Sequence, residues 1–576
     1  MLATRARQST AQAARQLRPS TLATRRTLNA PCRRLASGKS RSSNPSGSWI
    51  GKSLGVAVAG TAGFLGYSYL TGDWKEAWIE SQTLKKEIID VNDLRAQFIQ
   101  EKRSLRTPGV YTWGSNEFKV ADPGSKDADV KTPRRFRYFN KQVLRDFKVD
   151  EKSGAAITEN GDLVQWGKGF SETEYKPTKT LTGKNLASLA LSESRIIALS
   201  SDGSVYSLPL SKSEQASGPK AREGSWVPFW GGNSTLSYRI LKPKLGLGEK
   251  VTTICGGQEH VVMLTSSGRV FTAASSTENY PTLGQLGVPG LTWSTRPSGP
   301  ADACHEITSL KGSKVTQIAS GDYHALALTN DGRLFAWGDN SFGQLGVEFT
   351  PEEPSKDTPF VVPVEKYYRK QFYAPTITSV AAGGATTFFN VDSKRILGRD
   401  EEASSVRDLG SVTADTWSCG RGIWGTLGTG RWIHIQDSLS KVKDLSGLGE
   451  YDEKTKQMTP IHLRNVSVGT THVAAVLDNK TSINGKNKNS LDKSSDFGYE
   501  VFWWGGNEHF QLGTGKRSNQ CRPSYIKAPS EYAKKPEPEA RLQLMPRHKG
   551  RVDKRTVTME QRVECGRNVS AIYSAV

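Results

Sequence analysis

No acidic residue occurs before Asp73, and the 72 residues ahead of it hold nine Arg and two Lys, so they carry +11 of the chain's net +21. A further +8 falls in Lys516–Arg562, where 13 Lys and Arg face 5 Asp and Glu. What remains is close to neutral, which argues against a nucleic-acid-binding surface spread over the whole chain. Cysteine is scarce. The six residues at 32, 255, 304, 419, 521 and 565 include no C-x-x-C pair, against a zinc site or a disulfide scaffold. Cys255 and Cys565 each precede a glycine in a repeated pattern and read as small buried hydrophobes. Ser-His-Asp spacing, paired catalytic carboxylates and cofactor motifs are missing. Gly47–Ser53 (GSWIGKS) has three residues between its glycines where a phosphate-binding loop needs four, and it does not follow a strand. The chain therefore reads as non-enzymatic, with no cofactor and no bound metal.

The N-terminal region supplies targeting instead. Residues 1–41 are rich in Arg, Ser, Thr and Ala and free of acid, the composition of a mitochondrial transit peptide. Within residues 50–70, the run from Ser53 to Leu70 is uncharged and long enough, with Ile50 and Gly51, for one transmembrane helix, flanked by Trp49, Tyr67, Tyr69 and Trp74. Gly51, Gly55, Ala59 and Gly63 fall at i, i+4 spacing and form a small-residue face for packing against another membrane helix. Basic residues precede the span and Asp73 and Glu76 follow it, which sets the N-terminus in the matrix and the remaining chain in the intermembrane space. Residues 73–106 carry apolar residues at three-to-four spacing and read as a helical stalk ended by Pro108-Gly109.

From residue 110 the pattern changes to short strands and turns. Val315–Gly346 shows it whole: an alternating strand, Gly321-Asp322, the run HALALT, an Asp331-Gly332 hairpin, RLFAWG, and a turn ending in Gly-Gln-Leu-Gly. The Trp-Gly strand end recurs at Trp113, Trp166, Trp337 and Trp504, and the Gly-x-x-His turn at His260, His324 and His472. Gly-x-Leu-Gly recurs at Gly284–Gly287, Gly343–Gly346 and Gly425–Gly428. Inner turns at Ser192, Gly257, Gly321 and Gly384 lie about 63–65 residues apart, a propeller period. Six units centre on Gly161, Asp202, Gly268, Gly332, Asp392 and Asn479. Two half-units remain, Val110–Asn116 and residues 561–574, which together complete a seventh and remove the free sheet edges. The expected fold is all-β: a seven-bladed β-propeller over 110–576, closed by N- and C-terminal strands sharing one blade and preceded by the membrane helix and stalk. The His and Trp residues of the repeats are expected to be structural, each His buried and bonded to neighbouring backbone.

Gly-x-x-His-x-x-Ala-Leu, Asp-Gly, Trp-Gly and Gly-Gln-Leu-Gly together resemble the regulator of chromosome condensation repeat family, whose fold is a seven-bladed propeller. With a transit peptide, single span and stalk, the chain resembles the fungal mitochondrial inner-membrane members linked to assembly of respiratory complex III. That resemblance implies a membrane-tethered scaffold or assembly factor whose partners are inner-membrane proteins, complex III subunits or assembly intermediates among them. The founding member implies a rival role, guanine-nucleotide exchange on a small or dynamin-like GTPase. An animal mitochondrial relative implies a mitochondrial ribosome-associated role should the propeller sit in the matrix.

Function is expected on loops of the rigid scaffold, and insertions are placed at 211–250, 288–314, 431–462 and 516–562. The last is basic and proline-bearing and reads as an extended surface arm. Its cations Lys516, Arg517, Arg522, Lys534, Lys535, Arg541, Arg547, Lys549, Arg551, Lys554 and Arg555 are the candidate contacts for an acidic partner or anionic lipid headgroups.

Overall fold

The computed structural model describes residues 107–576 apart from 224–231, 279, 400, 453–455, 483–495, 528–540 and 553–554. The transit peptide, the span with its Gly51, Gly55, Ala59 and Gly63 face, and the stalk expected at 1–106 lie outside the described residues, as do Lys534, Lys535 and Lys554. Among the described residues no helix is long and apolar enough to cross a membrane.

The described chain is almost entirely antiparallel sheet. Val315–Ser320, His324–Thr329, Leu334–Asp339 and Ser355–Val361 pair in sequence order to make one four-stranded sheet. The same order recurs in the sheets that begin at Leu144, Leu186, Val251, Tyr373 and Leu463. One further sheet draws on both ends of the chain. Its inner strands are Arg555–Cys565 and Val569–Ala575, and its outer strands are Val110–Ser115 and Asp129–Arg135. The two ends meet in the register Val110↔Tyr573 through Gly114↔Val569.

Each sheet's first strand touches the first strand of the sheet before and after it, and Arg555–Cys565 touches Leu144–Val149, so the first strands surround a central channel. The apolar core lies between neighbouring sheets. The second strand of each sheet is buried on both faces and sends alternate residues to opposite neighbours. Leu326 and Leu328 join Phe389 and Trp417 of the following sheet, while Ala325 and Ala327 join Val262 and Leu264 of the preceding one. Burial on both faces is why these strands read as continuous apolar runs such as HVVMLT and HALALT.

The stretches outside the repeat pattern are not loops throughout. Each of the four supplies its sheet's outermost strand: Arg239–Leu241, His305–Glu306, Ile435–Lys441 and Gln520–Ser524. The structure also differs from the extended arm expected at 516–562. Leu542, Leu544 and Met545 are buried there, and His548–Val552 pairs with the start of Arg555–Cys565 as a hairpin whose Val552 and Met559 pack on Val143. Alternating apolar residues in this basic stretch are enough to anchor it as strand despite its prolines.

Candidate functional site: the mouth of the central channel

The repeat residues join one sheet to the next. His260, His324 and His472 are fully buried, and their Nε2 atoms meet Ser320 Oγ at 2.8 Å, Thr387 Oγ1 at 2.8 Å and Ser570 Oγ at 2.6 Å, each in the following sheet. The expected backbone partner is thus replaced by a side-chain hydroxyl across the sheet boundary. Thr387 Oγ1 donates to Gln344 O at 2.7 Å and Ser570 Oγ to Gln511 O at 2.7 Å, so each hydroxyl accepts from its imidazole and fixes the Nε2–H tautomer. Burial pushes all three imidazoles down to about 3, so they stay neutral. Lying in three separate sheets, they do not converge on one centre.

The Trp-Gly tryptophans work the same way. Trp337, Trp504 and Trp113 are fully buried and donate from Nε1 to Gln285 O at 3.1 Å, Thr426 O at 2.6 Å and Gln511 O at 2.8 Å, while Trp166 donates to Val120 O at 2.9 Å. The Gly-x-Leu-Gly ending is explained by the same contact. Gly287 has φ +66°, and a Cβ there would lie 2.7 Å from Trp337 Nε1. Trp503, which no repeat motif singles out, is also fully buried and packs edge-on against Trp113 at 5.1 Å.

The ends of the first strands form the mouth of the channel, a space of about 420 Å³ lined by turns of every sheet. Backbone bonds link consecutive turns: Glu193 N to Gln258 O at 2.9 Å, Gln258 N to Asp322 O at 2.9 Å, and Asp322 N to Gly384 O at 2.7 Å. The side chains these turns carry are uneven in charge. Going round the ring, the turns carry Asp150 and Glu151 with Lys152, then Glu193, Glu259 and Asp322, whereas the next two carry Ala385 and Thr470 and the last carries Arg567.

Arg567 reaches Asp322 Oδ2 at 3.7 Å and Asp150 Oδ1 at 4.0 Å, and Asn568 Nδ2 donates to Glu151 Oε1 at 3.2 Å. Burial raises Asp322 above the usual carboxylate range although Arg567 pulls it back, and burial with the charge of Glu193 raises Glu259. Carboxylates crowded in this way favour a cation. Arg421, which lines one pocket with Asp322 and Arg567, lies 4.6 Å from the Trp424 ring and 5.0 Å from Phe342, with Trp432 and Ile435 exposed at 57% and 49%. An acidic arc beside an aromatic rim suits a protein segment that carries both positive charge and apolar side chains.

These acids escape a motif search because they occupy variable positions of the turn between first and second strands; Glu259 and Asp322 fall inside Gly-x-x-His, while Asp150, Glu151 and Glu193 sit in turns that lack both residues. Lining up the turns would have found them. The basic residues of 516–562 do not form one surface. Lys516, Arg517 and Arg522 lie on the loop and outer strand of the Leu463 sheet, with Arg517 bonded to Asp129 at 2.6 Å. Arg541 pairs with Glu500 at 3.3 Å, and Arg547, Lys549, Arg551 and Arg555 belong to the hairpin at the other end of the channel.

Known proteins share this architecture. Models of the Regulator of chromosome condensation (RCC1) repeat match residues 315–344, 331–389 and 500–535. "Protein FMP25, mitochondrial" of Saccharomyces cerevisiae is 26% identical over 445 residues, 72% of this chain and 64% of the yeast protein, so somewhat under two thirds of that relative is spanned. A mouse "Secretion-regulating guanine nucleotide exchange factor" is 23% identical over 73% of this chain and 78% of its own length. The crystal structure of Prp20p from Saccharomyces cerevisiae covers 83% of this chain and 94% of its own at 18% identity and a TM-score of 0.51, which speaks to the fold. The chain is an all-β, RCC1-like propeller that carries matches to the RCC1 repeat and is similar to a fungal mitochondrial protein.

Proposed function

We propose that the chain is a non-enzymatic scaffold of the mitochondrial inner membrane: a seven-bladed ring, closed by the sheet that the two chain ends share, tethered by the span at 50–70. The ring stands in the intermembrane space and supports assembly of respiratory complex III by holding its subunits or assembly intermediates. The observation that carries this reading is the similarity, over 72% of the chain, to a yeast protein named as mitochondrial. The Arg-rich, acid-free N-terminus agrees with it. The acidic arc at the channel mouth, with its aromatic rim, is the surface that holds a cationic client segment.

Affinity purification from mitochondria, scored for complex III subunits, tests the client. Enrichment of those subunits, lost when Glu193, Glu259 and Asp322 are replaced by Gln, Gln and Asn, is the expected result. Protease added to mitochondria with the outer membrane opened should digest the ring, and full protection would sink the topology. A second reading, guanine-nucleotide exchange, draws on the similarity to the mouse exchange factor along most of its length. Acceleration of nucleotide release from a GTPase recovered in the same purification would favour it.

A further inference from the structure

Sheet geometry separates two faces. First strands end on the face that carries the channel mouth, so the hairpins between second and third strands, and the links from one sheet to the next, lie on the opposite face. Both ends of the described chain emerge there. Val110–Ser115 runs from that face toward the mouth, and Val569–Ala575 returns to it, with Ser574 N bonded to Gly109 O at 2.9 Å and Val576 N to Leu144 O at 3.0 Å. Arg135 clamps the point of emergence, donating to Thr107 O at 3.0 and 3.1 Å and to Pro108 O at 3.0 Å.

Positive charge is concentrated around this point. Lys141 N bonds Pro108 O at 2.8 Å, and the link 136–143 exposes the side chains of both Lys141 and Arg137. Val143 in the same link packs on the hairpin that presents exposed Arg547, Lys549 and Arg551. None of these five cations forms an ion pair with a described residue, whereas Arg555 on the same hairpin is neutralised by Glu159 at 3.0 Å. Five cations without an ion-pair partner among the described residues are thus gathered where residues 1–106, with the expected span, join the ring.

We propose that this patch rests on the anionic headgroups of the bilayer in which the chain is anchored, so that the channel mouth faces away from the membrane. The tether supports this occupant. It joins the ring inside the patch, and tethering to a bilayer raises the effective concentration of this surface there. Each cation near an anionic surface adds roughly fivefold to membrane affinity, fading within a Debye length of about 8 Å. The placement rests on the tethered reading above.

The full chain, reconstituted in phosphatidylcholine vesicles with and without phosphatidylglycerol, can be labelled with an amine-reactive acetylating reagent and read by mass spectrometry. Lys141 and Lys549 are expected to lose reactivity several-fold in the anionic vesicles and to regain it at high salt, while Lys126, on a loop at the mouth face, stays unchanged. Replacing Arg547 and Arg551 by Glu should restore Lys549 to its reactivity in neutral vesicles without moving the melting temperature. Equal labelling in both lipids, or loss in neutral lipid that survives salt, overturns the proposal. Alkaline carbonate extraction of the same vesicles reads the tether separately: a chain that is stripped off yet shows salt-sensitive protection refutes the span and keeps the patch.

Discussion

The imidazole of His324 donates from Nε2 to Thr387 Oγ1, 2.8 Å away and one sheet further round the ring, and the Thr387 hydroxyl in turn donates a hydrogen bond to Gln344 O. The relay crosses the boundary between two sheets, and it repeats from His472 to Ser570 to Gln511 O, at the boundary with the sheet built from both chain ends. Thr387→Val keeps the shape but leaves the buried His324 N–H unpaired and Gln344 O with only the weak Cys419 Sγ donor at 3.6 Å, so about 1–3 kcal/mol of stability should be lost in denaturant melts. His324→Ala and Thr387→Val should be non-additive by about 0.5–3 kcal/mol in a double-mutant cycle. Simple additivity would mean the two groups stabilise the boundary independently.

These histidines also set a pH dependence. Each is held at about 3 in the folded chain against an ordinary value near 6.5. Below pH 6.5 the unfolded state therefore binds more protons than the folded one, and stability falls as pH drops from about 6.5 toward 3. The slope contributed is up to about 1.4 kcal/mol per pH unit for each histidine. Thermal melts between pH 7 and 5 should show this decline, and His260→Gln, His324→Gln or His472→Gln should each flatten it by about one proton.

Much of the fold is legible in the residues because the repeat spells out contacts local in sequence: Asp331-Gly332 makes a hairpin, and HALALT can only be a strand buried on both faces. The partners of the repeat residues are harder to read. His324 lies 63 residues from Thr387, and Trp113 lies 398 residues from Gln511, so neither bond leaves a local pattern. The mouth was hidden for another reason. Its carboxylates stand at turn positions with no fixed residue type, and only the ring brings Glu193, Glu259 and Asp322 together. In 516–562 net charge and proline pointed to an exposed arm, yet Leu542, Leu544 and Met545 find a core.

A short strand pairing joins the two chain ends. Val110–Gly114 meets Val569–Tyr573, and Trp113 is fully buried against Trp503 with its indole on Gln511 O. Trp113→Ala should cost about 3–5 kcal/mol through the cavity and the lost bond. Deleting residues 569–576 should do more, exposing two sheet edges and turning the cooperative melt into aggregation. A truncated chain that melted as sharply as the intact one would show that closure does not govern stability.

Asp322 separates function from stability. Burial raises its carboxyl above the ordinary value, more than Arg567 and Gln258 lower it. A carboxyl raised in the folded state is ionised there at a cost at neutral pH, because the unfolded chain gives up its proton more readily; the cost disappears as pH falls below the unfolded value. Asp322→Asn can still accept from Gln258 Nε2, now 3.2 Å from Oδ1, and removes that cost. The variant should therefore melt at a higher temperature than the parent at pH 7, with the difference closing toward pH 4. If the mouth grips a cationic client, the same variant should recover less of it from mitochondria, most visibly at low salt where charge attraction is least screened. A gain in stability joined to a loss of binding is the signature of a charge kept for a partner. A variant more stable and equally competent in capture would remove Asp322 from the binding surface.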